Sequence, residues 1–223
     1  MQLLTTRSAG FITCFVLLTA LIHQPATGQP SLVAEICPGF QGSIAHFSDS
    51  AIIEEYLYFA ADDCSRGREL WRTDGTPAGT EMVADIADGS TGSNPAFLAN
   101  IDGKLFFAAD DGVHGTELWT FDPNKGQAEM VADILRGRYG SKPRYFISFQ
   151  GLVFFYATSS YGYELWRTDG TEQGTEMVKD IRPGPIGTVS FNMQVVNDLL
   201  LFWGYDGVHG RELWRSDGTE GGT

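Results

Sequence analysis

The chain has 223 residues, of which 43% are hydrophobic and 13% aromatic, so a packed core is affordable and a disordered chain is excluded. Lys and Arg number 15 against 28 Asp and Glu, and the resulting net charge of −13 argues against nucleic acid as a partner, because neutralising phosphates needs clustered cations. An acidic balance of this size suits a soluble surface that meets cations or basic partners.

Residues 1–28 have the layout of a secretory signal peptide. Arg7 precedes an apolar run from Phe11 to Ile22, and Ala26-Thr27-Gly28 places small residues at the first and third positions before a cut near Gly28–Gln29. The run is too short for a stable membrane helix, and no later segment is long and apolar enough to span a bilayer once the signal is removed. The expected destination is secreted, cell-surface or periplasmic. Cys14 leaves with the signal. Cys37 and Cys64 remain, an even number in an oxidising compartment, and a disulfide between them is expected, with two small buried residues as the alternative.

Residues 29–223 are built from a repeat. Glu-Leu-Trp recurs at Glu69–Trp71, Glu117–Trp119, Glu164–Trp166 and Glu212–Trp214, which sets Trp71, Trp119, Trp166 and Trp214 at intervals of 47 or 48 residues. Three copies continue with Asp74-Gly75-Thr76, Asp169-Gly170-Thr171 and Asp217-Gly218-Thr219; the second instead reads Phe121-Asp122-Pro123-Asn124. Met-Val-x-Asp-Ile follows at Met82–Ile86, Met130–Ile134 and Met177–Ile181. The units fall at about 31–80, 81–128, 129–175 and 176–223.

Each unit reads as a four-stranded antiparallel meander. In the second, Ala96–Ile101 is a strand and Asp102-Gly103 a two-residue hairpin turn. Lys104–Ala109 is apolar without alternation, so both its faces are buried. Thr116–Phe121 is the third strand and Glu129–Ile134 the fourth. A sheet with two apolar faces is shielded by stacking on its copies around an axis, which predicts an all-β β-propeller of four-stranded blades. In the third strand Leu points to one face and Glu and Trp to the other, so Leu and Trp pack against opposite neighbours. Leu32-Val33-Ala34-Glu35-Ile36 matches Met82–Ile86, and as a fourth strand it would complete the last blade and close a four-blade ring; the rival is a fragment of a longer propeller.

Glu-Leu-Trp-x-x-Asp-Gly-Thr-x-x-Gly-Thr resembles the bacterial ELWxxDGT repeat family, and the resemblance runs from Leu32 to Thr223. It implies an exported repeat protein of propeller-like fold, and it implies no catalytic residues.

Alternating strands put the loops between units on the same face as the loops between second and third strands. Cys37 and Cys64 both fall there. Each inter-unit loop carries Gly-x-x-Gly followed by Ser or Thr (Ser43, Ser93, Ser141, Thr188), a fixed turn shape by its residue types. Asp62, Asp63, Asp110, Asp111 and Asp206 supply hard oxygen ligands, so calcium is the one cofactor the sequence raises, although aspartates also stabilise turns by bonding their own backbone. His114 and His209 each follow an aspartate by three residues, a recurrence that repeat copying explains. The third unit diverges most, gathering Arg136, Arg138, Tyr139, Lys142, Arg144, Tyr145, Tyr161 and Tyr163, a basic and aromatic candidate recognition surface. The expected function is an exported binding or scaffolding module that recognises a protein or glycan through this face. A calcium-stabilised surface or matrix protein is the second reading, and an extracellular hydrolase the third; neither Gly-x-Ser-x-Gly nor His-Glu-x-x-His occurs in residues 29–223.

Overall fold

A computed structural model describes residues 30–39, 42–43, 49–188 and 192–223, so the signal segment lies outside the described residues. The described residues form four antiparallel sheets in sequence. The first holds β1 (Ala51–Ile53), β2 (Tyr56–Asp62), β3 (Arg68–Thr73) and β4 (Glu81–Ala84). The second holds β5 (Ala96–Ile101), β6 (Lys104–Asp110), β7 (Thr116–Asp122) and β8 (Gln127–Ala132). The third holds β9 (Arg144–Phe149), β10 (Leu152–Ser159), β11 (Gly162–Thr168) and β12 (Glu176–Lys179). The fourth holds β13 (Met193–Val196), β14 (Leu199–Tyr205) and β15 (Arg211–Ser216). Each sheet is a meander with strands in chain order, and the sheets stack as propeller blades. Their edges run from first strand to fourth, so the physical blade is out of phase with repeat units cut at about 31–80, 81–128, 129–175 and 176–223.

The stacking follows the alternation of the third strand. Leu70 and Tyr58 of the first blade pack on Leu105, Phe107, Trp119 and Phe121 of the second. Leu118 and Phe106 of the second pack on Val153, Phe155 and Trp166 of the third. Leu165 and Tyr156 of the third pack on Leu200, Phe202 and Trp214 of the fourth. Every joint therefore sets a Leu face against the next blade's Trp face. Leu70, Leu118 and Leu165 are fully buried, each contributing about 2 kcal/mol by area.

The Asp-Gly-Thr segments are turns that hold themselves. Asp74 Oδ1 accepts the Thr76 N–H (2.8 Å) and hydroxyl (2.7 Å), and Thr76 Oγ1 accepts the Gly79 N–H at 3.0 Å. Thr73 and Thr80 then join hydroxyl to hydroxyl at 2.7 Å. A Cβ at Gly79 would lie 2.1 Å from the Asp74 carboxylate, so the second glycine of the motif leaves room for the first aspartate. Asp169–Thr175 and Asp217–Thr223 repeat the arrangement. The signature is thus a structural cap on the face opposite the inter-blade loops.

One expectation is corrected. Leu32–Ile36 lies in no strand, Leu32 is 78% exposed, and among the described residues the fourth sheet has three strands. Leu213, the fourth blade's counterpart of Leu118, is 60% exposed, so the Leu face of the fourth blade has not met the first blade and the ring is open.

Candidate functional site

The inter-blade loops and the second-to-third-strand loops share one face, as the alternation of strands requires. They meet so closely that only glycine fits. A Cβ on Gly92 would lie 2.2 Å from the Arg68 backbone nitrogen, on Gly140 2.3 Å from the Thr116 carbonyl oxygen, and on Gly187 2.1 Å from the Tyr163 nitrogen. All three adopt positive φ as well (70°, 57° and 69°), which glycine accepts without strain.

What fixes each loop is the glutamate of Glu-Leu-Trp. Glu69 Oε2 accepts the Ile86 N–H (2.9 Å) and the Ser93 hydroxyl (2.5 Å), while Oε1 accepts the N–H groups of Ala87 (3.2 Å) and Ser93 (2.8 Å). Glu117 does the same with Ile134, Leu135 and Ser141. Glu164 takes the amides of Ile181, Arg182 and Thr188. All three carboxylates are fully buried. Burial pushes the Glu164 carboxyl up to about 7 against the pull of its three backbone donors, and raises Glu117 likewise. In the first three blades the fourth strand (β4, β8, β12) ends just before its Asp-Ile pair, and the Ile amide turns away to reach this carboxylate. In the sequence the signal is a Glu and a Ser or Thr recurring 24 residues apart.

The aspartates raised as calcium ligands face their own turns. Asp62 Oδ1 accepts the Cys64 N–H, Asp63 Oδ1 those of Ser65 and Arg66, and Asp110 Oδ1 that of Gly112. Asp111 Oδ1 accepts the Val113 and His114 N–H groups, and its Oδ2 lies 2.6 Å from His114 Nδ1. Asp206 and His209 copy this pair at 2.7 Å. These bonds hold Asp63 down at about 2 and depress Asp111 and Asp206, and each aspartate raises its histidine. Among the described residues no group of three or more His, Cys, Asp or Glu side chains comes together around a metal-sized space.

Cys37 and Cys64 form a disulfide, with Cα atoms 5.3 Å apart. It ties the loop entering the first blade to that blade's own β2–β3 loop. The loops entering the second, third and fourth blades are held by the preceding glutamate; the disulfide pins the first one instead.

The basic and aromatic set divides. Arg136, Arg138, Tyr139 and Lys142 are exposed on the loop entering the third blade, Tyr139 at 83%. Tyr161 is exposed on the β10–β11 turn, one residue before Gly162 abuts Gly187 of the following loop. Tyr163 is corrected: it is a β11 residue half-buried beside Tyr156, ring centroids 5.5 Å apart, with its hydroxyl out of solvent and its pKa raised by burial. The guanidinium of Arg144 covers the Tyr163 ring at 5.2 Å and lies 5.8 Å from that of Phe97. Phe97 in turn meets Tyr145 at 5.9 Å. Tyr145 and Tyr163 pack against the core between the third and fourth blades, and Arg144 and Tyr145 also reach Phe97 of the second, so none of the three presents itself to a ligand.

Next to the exposed set lies a polar cleft of about 770 Å³. Asp88, Thr91 and Asn94 line one side, Asp110 and Asp111 another, and Arg138 reaches in from the next loop. The lining gathers carboxylate, amide and hydroxyl groups with one guanidinium. Such a lining recognises a ligand through hydrogen bonds rather than through apolar burial.

No family model matches the chain, and no curated protein matches it. Its structure is similar to the crystal structure of puromycin hydrolase, with a TM-score of 0.53 and 18% identity over 76% of this chain and 27% of that one. It is similar also to a serine-to-alanine mutant of puromycin hydrolase complexed with PGG, with a TM-score of 0.51 and 18% identity over 73% of this chain and 25% of that one. The chain thus spans about a quarter of the length of these enzymes, and the likeness is one of fold.

Proposed function

We propose that the chain is an exported binding module of the ELWxxDGT repeat type, which recognises a protein or glycan through the loop face of its blades. The observation that carries this reading is the cleft lined by Asp88, Asp110, Asp111 and Arg138, the last on a loop that also exposes Arg136, Tyr139 and Lys142. Exposed aromatic and arginine side chains beside a polar groove are the composition of recognition surfaces. They sit on the most divergent loop of a rigid repeat scaffold, where a change of ligand costs the fold least. The signal-like segment 1–28 and the Cys37–Cys64 bridge support an oxidising, exported destination.

An array of neutral, uronate-bearing and sulfated oligosaccharides, together with a panel of extracellular proteins, tests the reading. Residues 30–223 retain a subset of these probes, and Arg138→Ala with Tyr139→Ala weakens retention roughly tenfold or more while melting is unchanged. Retention of nothing on both panels, or retention indifferent to the double substitution, removes it. A hydrolase reading draws only on the fold shared with puromycin hydrolase, and turnover of a chromogenic ester or peptide by the purified chain would replace the binding reading.

A further inference from the structure

On the face opposite the inter-blade loops, the Asp-Gly-Thr turn of one blade rests on the blade before it. In the fourth blade a Cβ on Gly218 would lie 3.2 Å from Phe154 and 3.6 Å from Phe149 and Gln150 of the third. Arg167 of the third blade binds that turn. Its Nε and Nη2 pair with Glu176, and its Nη1 donates to the Gly218 carbonyl at 2.7 Å. Gly170 of the third blade lies likewise against Phe106 of the second. The turn needs a left-handed residue at this position, with φ of 87°, 90° and 91° at Gly75, Gly170 and Gly218.

The second blade has no such turn. Pro123 stands where the other blades have that glycine, and its ring holds φ at about −65°, so the left-handed conformation is closed to it. The ladder runs on instead. In the first and third blades it stops at Arg72–Glu81 and Arg167–Glu176, whereas in the second it continues through Phe121–Ala128 and Asp122–Gln127. A tight turn then closes on the Asp122 carbonyl, which accepts the Lys125 and Gly126 N–H groups. The first blade nevertheless keeps the seat for a turn. By strand register Ile53, Glu54 and Tyr58 hold the positions of Phe149, Gln150 and Phe154, and Arg72 holds that of Arg167. These four residues line a cavity of about 450 Å³ between the first and second blades, a size within the roughly 300–1,000 Å³ of small-ligand sites.

Arg72 keeps the pair with Glu81 through the same two nitrogens, and its guanidinium lies 4.4 Å from the Tyr56 ring centroid. Among the described residues it bonds no carbonyl of the second blade; the Tyr58 hydroxyl is its other neighbour. The second blade brings Lys104, half exposed and 3.7 Å from Asp122, together with Asn124. Glu54 and Asp102 add carboxylates to the lining. The acceptor that Arg167 finds in its own chain, Arg72 has to find in a ligand, and a carboxylate is the acceptor that a guanidinium holds best. A ligand anionic throughout would be repelled by Glu54 and Asp102, whereas hydroxyl groups donate to them.

We propose that this cavity binds a uronic-acid sugar, with its carboxylate held by Arg72 and Lys104 and its hydroxyls by Glu54, Asp102 and Asn124. The site lies on the face opposite the cleft at Arg138 and does not depend on that cleft.

Isothermal titration calorimetry of residues 30–223 with glucuronate and galacturonate, and with glucose and galactose as neutral counterparts, tests the site. The uronates bind, and the neutral sugars bind at least about tenfold more weakly. Lys104→Ala, at a half-exposed position, leaves melting unchanged and weakens uronate binding roughly tenfold. Arg72→Gln weakens it further; should that variant melt early, Lys104→Ala carries the test alone. Uronates that give no binding up to about 10 mM, or bind no better than the neutral sugars, overturn the proposal. Uronate binding that ignores both substitutions overturns it as well. Binding lost with Arg138→Ala and kept with Lys104→Ala places the sugar on the loop face, which removes this site and leaves the reading of that cleft standing.

Discussion

Ser141 Oγ donates a 2.5 Å hydrogen bond to Glu117 Oε2 across 24 residues of sequence, and the same carboxylate takes three further loop amides. One buried side chain thereby satisfies four donors that would otherwise face the core without water. The loop face owes its shape to this bond set more than to the glycines, which only permit the approach.

Glu117→Ala is the direct consequence. It leaves three amides and a hydroxyl without an acceptor, and the expected loss is about 3 to 5 kcal/mol in urea unfolding. Glu212→Ala, at the same motif position in the exposed fourth blade, changes the stability of the monomer by less than about 0.5 kcal/mol. Equal losses at the two positions would mean that the glutamate acts through strand propensity and not through the loop.

The pH response follows from Glu164. Its folded carboxyl titrates at about 7 against an ordinary 4.5, so the folded state holds the proton more tightly than the unfolded one. Its contribution is full below about pH 4.5 and is lost as pH rises to about 7, by an amount on the order of 2 to 3 kcal/mol. Asp63 runs the other way: it is depressed to about 2, so its contribution is present above the ordinary aspartate range and is lost on acidification. The difference in unfolding free energy between wild type and Glu164→Gln isolates the first effect. A difference that is flat from pH 4 to pH 8 would contradict it.

Much of this fold is legible in the sequence because repetition removes ambiguity. Leu118 and Trp119 differ by one position in a strand, so they must point to opposite faces, and four copies fix which face is which. The aspartate turns are legible for a similar reason: Asp111, Val113 and His114 interact within four residues, where backbone geometry leaves little choice. Glu117 is different. Its partners lie 17 to 24 residues away, and only the folded path of the loop shows that an acid in an apolar strand is the acceptor for that loop. Tyr163 shows the opposite failure. Two residues from the exposed Tyr161, it belongs by sequence proximity to the surface set, yet it is already in β11 and stacks on Tyr156.

The disulfide makes a separable prediction. Cys37–Cys64 closes a separation of 27 residues and anchors the loop entering the first blade, which no Glu-Leu-Trp glutamate among the described residues reaches. Cys37→Ser with Cys64→Ser, or reduction of the wild type, is expected to cost about 3 kcal/mol, read from urea midpoints with and without reductant. Reductant leaves the double variant unchanged.

The Leu faces give the sharpest comparison, because one motif residue occupies two environments. Leu118 is fully buried against Val153 and Phe155, whereas Leu213 is 60% exposed. Leu118→Ala removes side-chain contacts and leaves a cavity in a joint with apolar walls, at an expected cost of about 2 to 5 kcal/mol. Leu213→Ala removes little from a single chain, and at concentrations where the chain is monomeric its unfolding midpoint stays within about 0.5 kcal/mol of wild type. A Leu213→Ala penalty as large as that at Leu118 would instead place the fourth blade's Leu face against apolar neighbours.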